Sequence, residues 1–223
     1  AECTPSAWPG LKAVQSADII PLPDGLKPVL PLATSHPMRH KLIERCCNIF
    51  IDSEFDLNAL DAKSGDGDTG STLSTASRAL IGSLDRLPLA DMTQLYRAIG
   101  LELSQTMGGS SGILLAIFFA AAGDASSSGS NFIGALNAGL DRVQEVGGAQ
   151  VGDRTLIDAL RPALDALPEG IAAAAIAARL AANFTATIVQ AKAGRATYIS
   201  PDQLRGHNDP GAEAVARLFE QLV

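Results

Sequence analysis

Three carboxylates, Asp61, Asp66 and Asp68, fall within the glycine-punctuated stretch Leu60-Asp61-Ala62-Lys63-Ser64-Gly65-Asp66-Gly67-Asp68-Thr69-Gly70-Ser71-Thr72. Carboxylates this close repel one another unless a cation sits between them. Hard oxygen ligands on a loop suit Mg²⁺ or Ca²⁺. The helical pattern that begins straight afterwards offers an N-terminus, which suits a phosphate. An EF-hand is excluded by counting: the twelfth position is Thr72 from Asp61 and Ser77 from Asp66, where that loop needs a bidentate Glu. A lone Asp-Gly-Asp is more often a turn that caps the next helix. The added Asp61 and the Gly-Ser-Thr helix start shift the balance towards magnesium and phosphate.

Other segments carry weaker signals. Gly108-Gly109-Ser110-Ser111-Gly112 is a second glycine-rich helix start, whose amides and hydroxyls suit an anion. It is not a Walker A loop, because no Lys follows and no strand precedes. Arg195, in Gly194-Arg195-Ala196-Thr197-Tyr198, lies beyond a helical run and suits either a phosphate or the open surface. Asp209-Pro210-Gly211 and Gly152-Asp153-Arg154-Thr155 both read fully as capped helix starts. His36, His40 and His207 show no relation to a nucleophile, so a Ser-His-Asp mechanism has no support.

The elements that must hold these residues are helical. Apolar residues make up 47% of the chain and aromatics 4%, with Ala and Leu dominant, a bias towards helix. The net charge of −7 and the lack of a Lys/Arg run argue against nucleic-acid binding. The cysteines, Cys3, Cys46 and Cys47, form no C-x-x-C pair and read as reduced thiols of a cytoplasmic protein. The apolar run Ile113 to Ala122 falls short of the ~20 residues of a membrane span.

Seven of the twelve prolines lie in residues 1–37, which reads as a linker or the tail of an upstream domain. From Pro37 the pattern predicts about eight helices. They include one from Gly70 to Asp85, an apolar one ending at Ala122 before a Ser-rich loop at 124–130, one capped by Asp153, an Ala-rich one from Ile171 to Ala191, and a last one from Asp209. Pro162 should kink its helix. Short connections predict an all-α antiparallel bundle or closed barrel.

Taken together, Leu57-Asn58-Ala59-Leu60-Asp61, Gly65-Asp66-Gly67-Asp68-Thr69-Gly70, Met107-Gly108-Gly109-Ser110-Ser111-Gly112, Gly152-Asp153-Arg154-Thr155, Gly194-Arg195-Ala196-Thr197-Tyr198 and Asp209-Pro210-Gly211 resemble the nucleotide-binding L domain of dihydroxyacetone kinases over residues 38–223. The resemblance implies an eight-helix barrel with ATP and two Mg²⁺ at one end. It makes Asp61, Asp66 and Asp68 the metal ligands. Thr69, Gly70, Ser71, Thr72, Ser110 and Ser111 would hold phosphates. Gly147, Leu156, Arg195, Asp209, Pro210 and Gly211 would line the rest of the nucleotide site, with Leu156 standing where relatives often have Met.

That family divides into an ATP-dependent branch, with the L domain behind a substrate-binding K domain, and a separate subunit holding ADP for a phosphotransfer protein. The second branch commonly has His after the third Asp, where this chain has Thr69. Thr69 and the Pro-rich start favour the ATP branch. The resemblance then implies transfer of the γ-phosphate to dihydroxyacetone or glyceraldehyde. The acceptor-site histidine is expected on the K domain, so the isolated domain should be inactive. A homodimer is compatible with this reading. The rival readings are an acyl kinase domain and a lipid-binding barrel, since walls of Leu, Ile and Ala suit an apolar cavity.

Overall fold

The structure is a computed structural model and describes residues 31–223. Ten α-helices follow one another there: α1 (Pro37–Asp52), α2 (Glu54–Asp61), α3 (Thr69–Ser83), α4 (Met92–Thr106), α5 (Gly109–Ser127), α6 (Phe132–Gly147), α7 (Leu156–Ala166), α8 (Ile171–Thr185), the single turn α9 (Pro201–Leu204) and α10 (Pro210–Leu222). Short 3-10 turns lie at Leu84–Arg86, Leu167–Glu169 and Arg195–Tyr198. Among the described residues there is no strand, only an isolated bridge between Thr34 and Pro88. Residues 1–30 of the expected linker lie outside the described residues. Its end does not hang free: the Thr34 N–H donates to Leu87 O, and the Leu89 N–H donates to Thr34 O, both at 3.2 Å.

The long helices pack in chain order from α3 through to α8, and the ring closes where α10 meets α8, α7, α1 and α2. Connections of one to a few residues, as between α4 and α5 or α7 and α8, force antiparallel neighbours. Starts of α3, α5 and α7 therefore share one end of the ring. Two large apolar clusters and a smaller one of Tyr96, Ala122 and Ala135 fill it. One gathers Leu80, Leu95, Ile99 and Leu103 from α3 and α4; the other gathers Leu140, Ile157, Leu164 and Phe219 with the alanines of α8. Phe119 packs against both, its ring 5.2 Å from that of Phe118 in an edge-on contact. The expected all-α architecture is therefore present.

Boundaries differ where tertiary contacts outweigh local propensity. The Ser-rich stretch after Ala122 continues α5 to Ser127, because Arg97 of α4 pairs with Asp124 at 2.8 Å and Thr93 donates to Ser126 at 3.3 Å. Helix α8 ends at Thr185, six residues before the expected Ala191, because its last carbonyls turn to a buried arginine. Pro162 lies inside α7, and the helix runs on through it. Helix α5 is long and apolar enough to cross a membrane by length and composition. Here it packs between α4 and α6, closely enough that a Cβ on Gly139 would lie 2.6 Å from Phe118 O.

Cys46 and Cys47 are free thiols in α1, and burial pushes them up to about 11 and about 12. They are inert at neutral pH. Cys3 lies outside the described residues.

Candidate metal and phosphate site

The Asp loop joins the C-terminus of α2 to the N-terminus of α3. Asp61 is the last residue of α2 and is buried. Its Oδ2 accepts the Asp68 N–H at 2.9 Å and the Thr69 N–H at 3.1 Å, so the carboxylate sits against the helix start. Its Oδ1 faces Gly65, where a Cβ would lie 2.3 Å away; only glycine leaves that oxygen its space. Gly67 turns the chain with φ +80. One carboxylate oxygen from each of Asp61, Asp66 and Asp68 then lies within 4.8 Å of the others. This trio of hard oxygens fits a small divalent cation.

Helix α3 can start here because α2 crosses its first turn. A Cβ on Gly70 would lie 2.1 Å from Glu54 O, so the crossing requires glycine. The Ser71 N–H donates to Asn58 Oδ1 at 3.0 Å, and Asn58 Nδ2 donates to Ser71 Oγ at 2.8 Å. Ser71 Oγ in turn donates to Glu54 at 3.2 Å. Hydrogen bonds from Ser74, then Arg78 and Ser71, hold the Glu54 carboxyl below the usual carboxylate range. The amides of Thr69 and Ser71 are thus engaged inside the protein. Gly70 is buried beneath α2, and the hydroxyls of Thr69 and Thr72 make no hydrogen bond among the described residues.

Arg195 reaches this loop from the far side of the chain. Its Nη1 pairs with Asp66 Oδ2 and stands 3.8 Å from Asp68 Oδ2. Arg195 is exposed, yet its partners are two carboxylates of the Asp loop. Ser110 and Ser111 are exposed in the first turn of α5, after Gly109 with φ +71. Gly147 closes α6 against Leu114 of α5, where a Cβ would lie 3.3 Å from Leu114 Cδ2.

A second group forms at the starts of α7 and α10. Asp209 caps α10 by accepting the Ala212 N–H at 2.8 Å, with Pro210 in the first turn. Gly211 lies against Leu156, 3.1 Å from where a Cβ would stand to Leu156 Cβ. Burial pushes the Asp209 carboxyl up to about 7. The α7 cap is Thr155 rather than Asp153. Thr155 and Asp158 form a reciprocal capping box, while Asp153 accepts the Gln150 N–H at 2.7 Å.

Sequence reasoning missed what Arg154 does here. Its side chain is 1% exposed and its backbone takes φ +64. Nη1 donates to Thr185 O at 2.5 Å and to Ile188 O at 3.2 Å, and Nη2 donates to His207 O at 2.8 Å. Desolvation lowers its pKa, opposed by Asp209 and Asp158. Local sequence carries no signal for this, since all three acceptors are backbone carbonyls far along the chain.

The DAK2 domain family matches residues 63–223. The chain belongs to that family. This DAK2 domain is 47% identical to dihydroxyacetone kinase of Citrobacter freundii over 81% of its length, covering 34% of the relative. It is 35% identical to triokinase/FMN cyclase of Mus musculus over 100% of its length, covering 42% of that protein. The chain thus spans about two fifths or less of the curated relatives it matches. Its fold superposes with a TM-score of 0.77 on the crystal structure of the C. freundii kinase in complex with AMP-PNP and Mg²⁺. That match is 39% identical and covers 90% of this chain and 36% of the other.

Proposed function

We propose that this DAK2 domain is the ATP-binding half of a dihydroxyacetone kinase. The observation that carries the reading is the Asp61, Asp66 and Asp68 trio at the start of α3, with Arg195 over it. The likeness to a kinase structure holding AMP-PNP and Mg²⁺ supports it. Asp61, Asp66 and Asp68 would hold two Mg²⁺ ions, and Thr69 to Thr72 with Ser110 and Ser111 the phosphates. Gly147, Leu156 and Asp209 to Gly211 would line the remainder of the site. Bound Mg-ATP supplies the transferable γ-phosphoryl group and its counter-charge.

The chain's own contribution is placement and electrostatics. The Asp loop fixes where positive charge sits, and the starts of α3 and α5 present amides and hydroxyls to developing negative charge. Arg195, an arginine on a loop, offers a further cation to the phosphates. The acceptor hydroxyl of dihydroxyacetone or glyceraldehyde would be held by a K domain, to which residues 1–37 form the linker or tail. The reaction would then take place in the cytoplasm. Thr69, in place of the His of phosphotransfer-linked subunits, favours ATP as donor.

The test mixes the purified chain with a K domain, dihydroxyacetone and Mg-ATP. Dihydroxyacetone phosphate should form without phosphotransfer proteins. Turnover that requires those proteins would instead make ADP a bound coenzyme, and no turnover with either donor would end the kinase reading.

A further inference from the structure

The loop that carries Arg195 runs from the end of α8 to the start of α10 and is fastened at its base. The Gly206 N–H donates to Ala186 O at 3.0 Å, closing the base on itself. Arg154 then grips both strands of that base, taking Thr185 O and Ile188 O on one side and His207 O on the other. The Asp209 N–H donates to Thr185 Oγ1 at 2.7 Å, locking the departing strand to the same point. Early in the loop, the Lys192 N–H donates to Asp153 O at 3.1 Å, one residue before Arg154. Directly after Gly194, which turns the chain with φ +70, the backbone delivers Arg195 to Asp66 and Asp68.

Burying a guanidinium is costly unless its donors are met, and a non-glycine residue at positive φ adds strain. A plain helix start needs neither. Thr155 and Asp158 already cap α7, so Arg154 is not required to begin that helix.

We infer that Arg154 is a positioning residue for the phosphate site: by clamping the three carbonyls at the loop base, it sets where Arg195 stands over the Asp loop. This rests on the nucleotide reading above, and it assigns Arg154 no contact with nucleotide or metal. Lysine at this position keeps the charge but, as a single point donor group, cannot span carbonyls on both strands as the guanidinium fork does.

The test is a double-mutant cycle read by calorimetric titration with Mg²⁺ and AMP-PNP. R154K should weaken binding at least about tenfold, the scale on which misplaced groups lose their effect. R195A should weaken it too, and R154K/R195A should bind within about twofold of R195A alone, because Arg154 acts through Arg195. A general structural defect would instead add to the R195A loss. Where R154K fails to fold, Thr185→Val removes the Oγ1 that ties the Asp209 N–H to the same base and should show the same non-additivity. Wild-type affinity in R154K, or additive losses in either cycle, overturns the inference alone. A wild-type chain that binds no Mg-AMP-PNP overturns the nucleotide reading with it.

Discussion

Two charged centres share one end of the helical ring, and they are built in opposite ways. Around Arg154 the charged groups are buried and meet partners within the protein, although Arg154 Nε is left without one. Arg154 meets three carbonyls, Asp158 accepts the Gly152 and Thr155 N–H groups at 2.6 and 2.7 Å, and Asp209 accepts Ala212. Around the Asp loop only Asp61 is treated that way. Asp66 and Asp68 keep 48% and 57% of their side-chain surface, with a half-exposed arginine as their partner. A buried charge without partners is strongly destabilising, so the first centre is tied to the protein's own backbone. An exposed pair of carboxylates can keep its oxygens open for an exchangeable cation. The first centre is structure; on the proposed reading the second is a binding site that the first holds in place.

Asp61 spans the two designs, and its loss should have the largest effect. Asp61→Ala removes a cation ligand and also orphans the Asp68 and Thr69 N–H groups. Affinity for Mg-AMP-PNP should fall by at least roughly a hundredfold. Stability should fall by about 1–3 kcal/mol in urea titration. A stability equal to wild type would show that Asp61 belongs wholly to the exposed centre.

Next comes Gly70→Ala, which places a Cβ 2.1 Å from Glu54 O where α2 crosses α3. It should lower the urea midpoint by an amount equal to about 1–3 kcal/mol. An unchanged midpoint would mean that α2 can shift without loss.

Asp209 sharpens the buried side. Its carboxyl, raised to about 7 by burial, keeps a proton in the folded protein that the unfolded chain releases near pH 4. Its contribution to stability is therefore full below about pH 4 and is lost as pH rises to about 7. Asp209→Asn keeps the cap but cannot titrate, so its stability should change less than wild type across pH 4 to 7. Parallel profiles in thermal melts at successive pH values would remove Asp209 from the buried centre. Smallest of all should be Lys192→Ala. That ammonium is exposed and 3.3 Å from Asp153, and its loss should move stability by about 0.5 kcal/mol or less.

How much of this was legible in the sequence follows the same division. The Asp loop could be read because its chemistry is local: three carboxylates, two glycines and a helix start lie within a few residues. The cap at Asp209 was legible for the same reason, accepting an N–H three residues on. Arg154 was hidden because its partners lie 31 to 53 residues away and are backbone atoms of no particular residue type. The early end of α8 was hidden with it, since an Ala-rich pattern says nothing about which carbonyls a distant arginine will take. Glu54 carries no local signal either, since its partners Ser71 and Arg78 lie 17 and 24 residues on.

The central claim is that the Asp loop is a metal-dependent phosphate site and not a solvated turn. Calorimetry of AMP-PNP binding with Mg²⁺, and again with the metal chelated, tests it on wild type and on the Asp66→Ala/Asp68→Ala variant. The account predicts binding only for wild type with Mg²⁺, while the variant melts at the wild-type temperature. Equal affinity in the variant, or in wild type without metal, would contradict it.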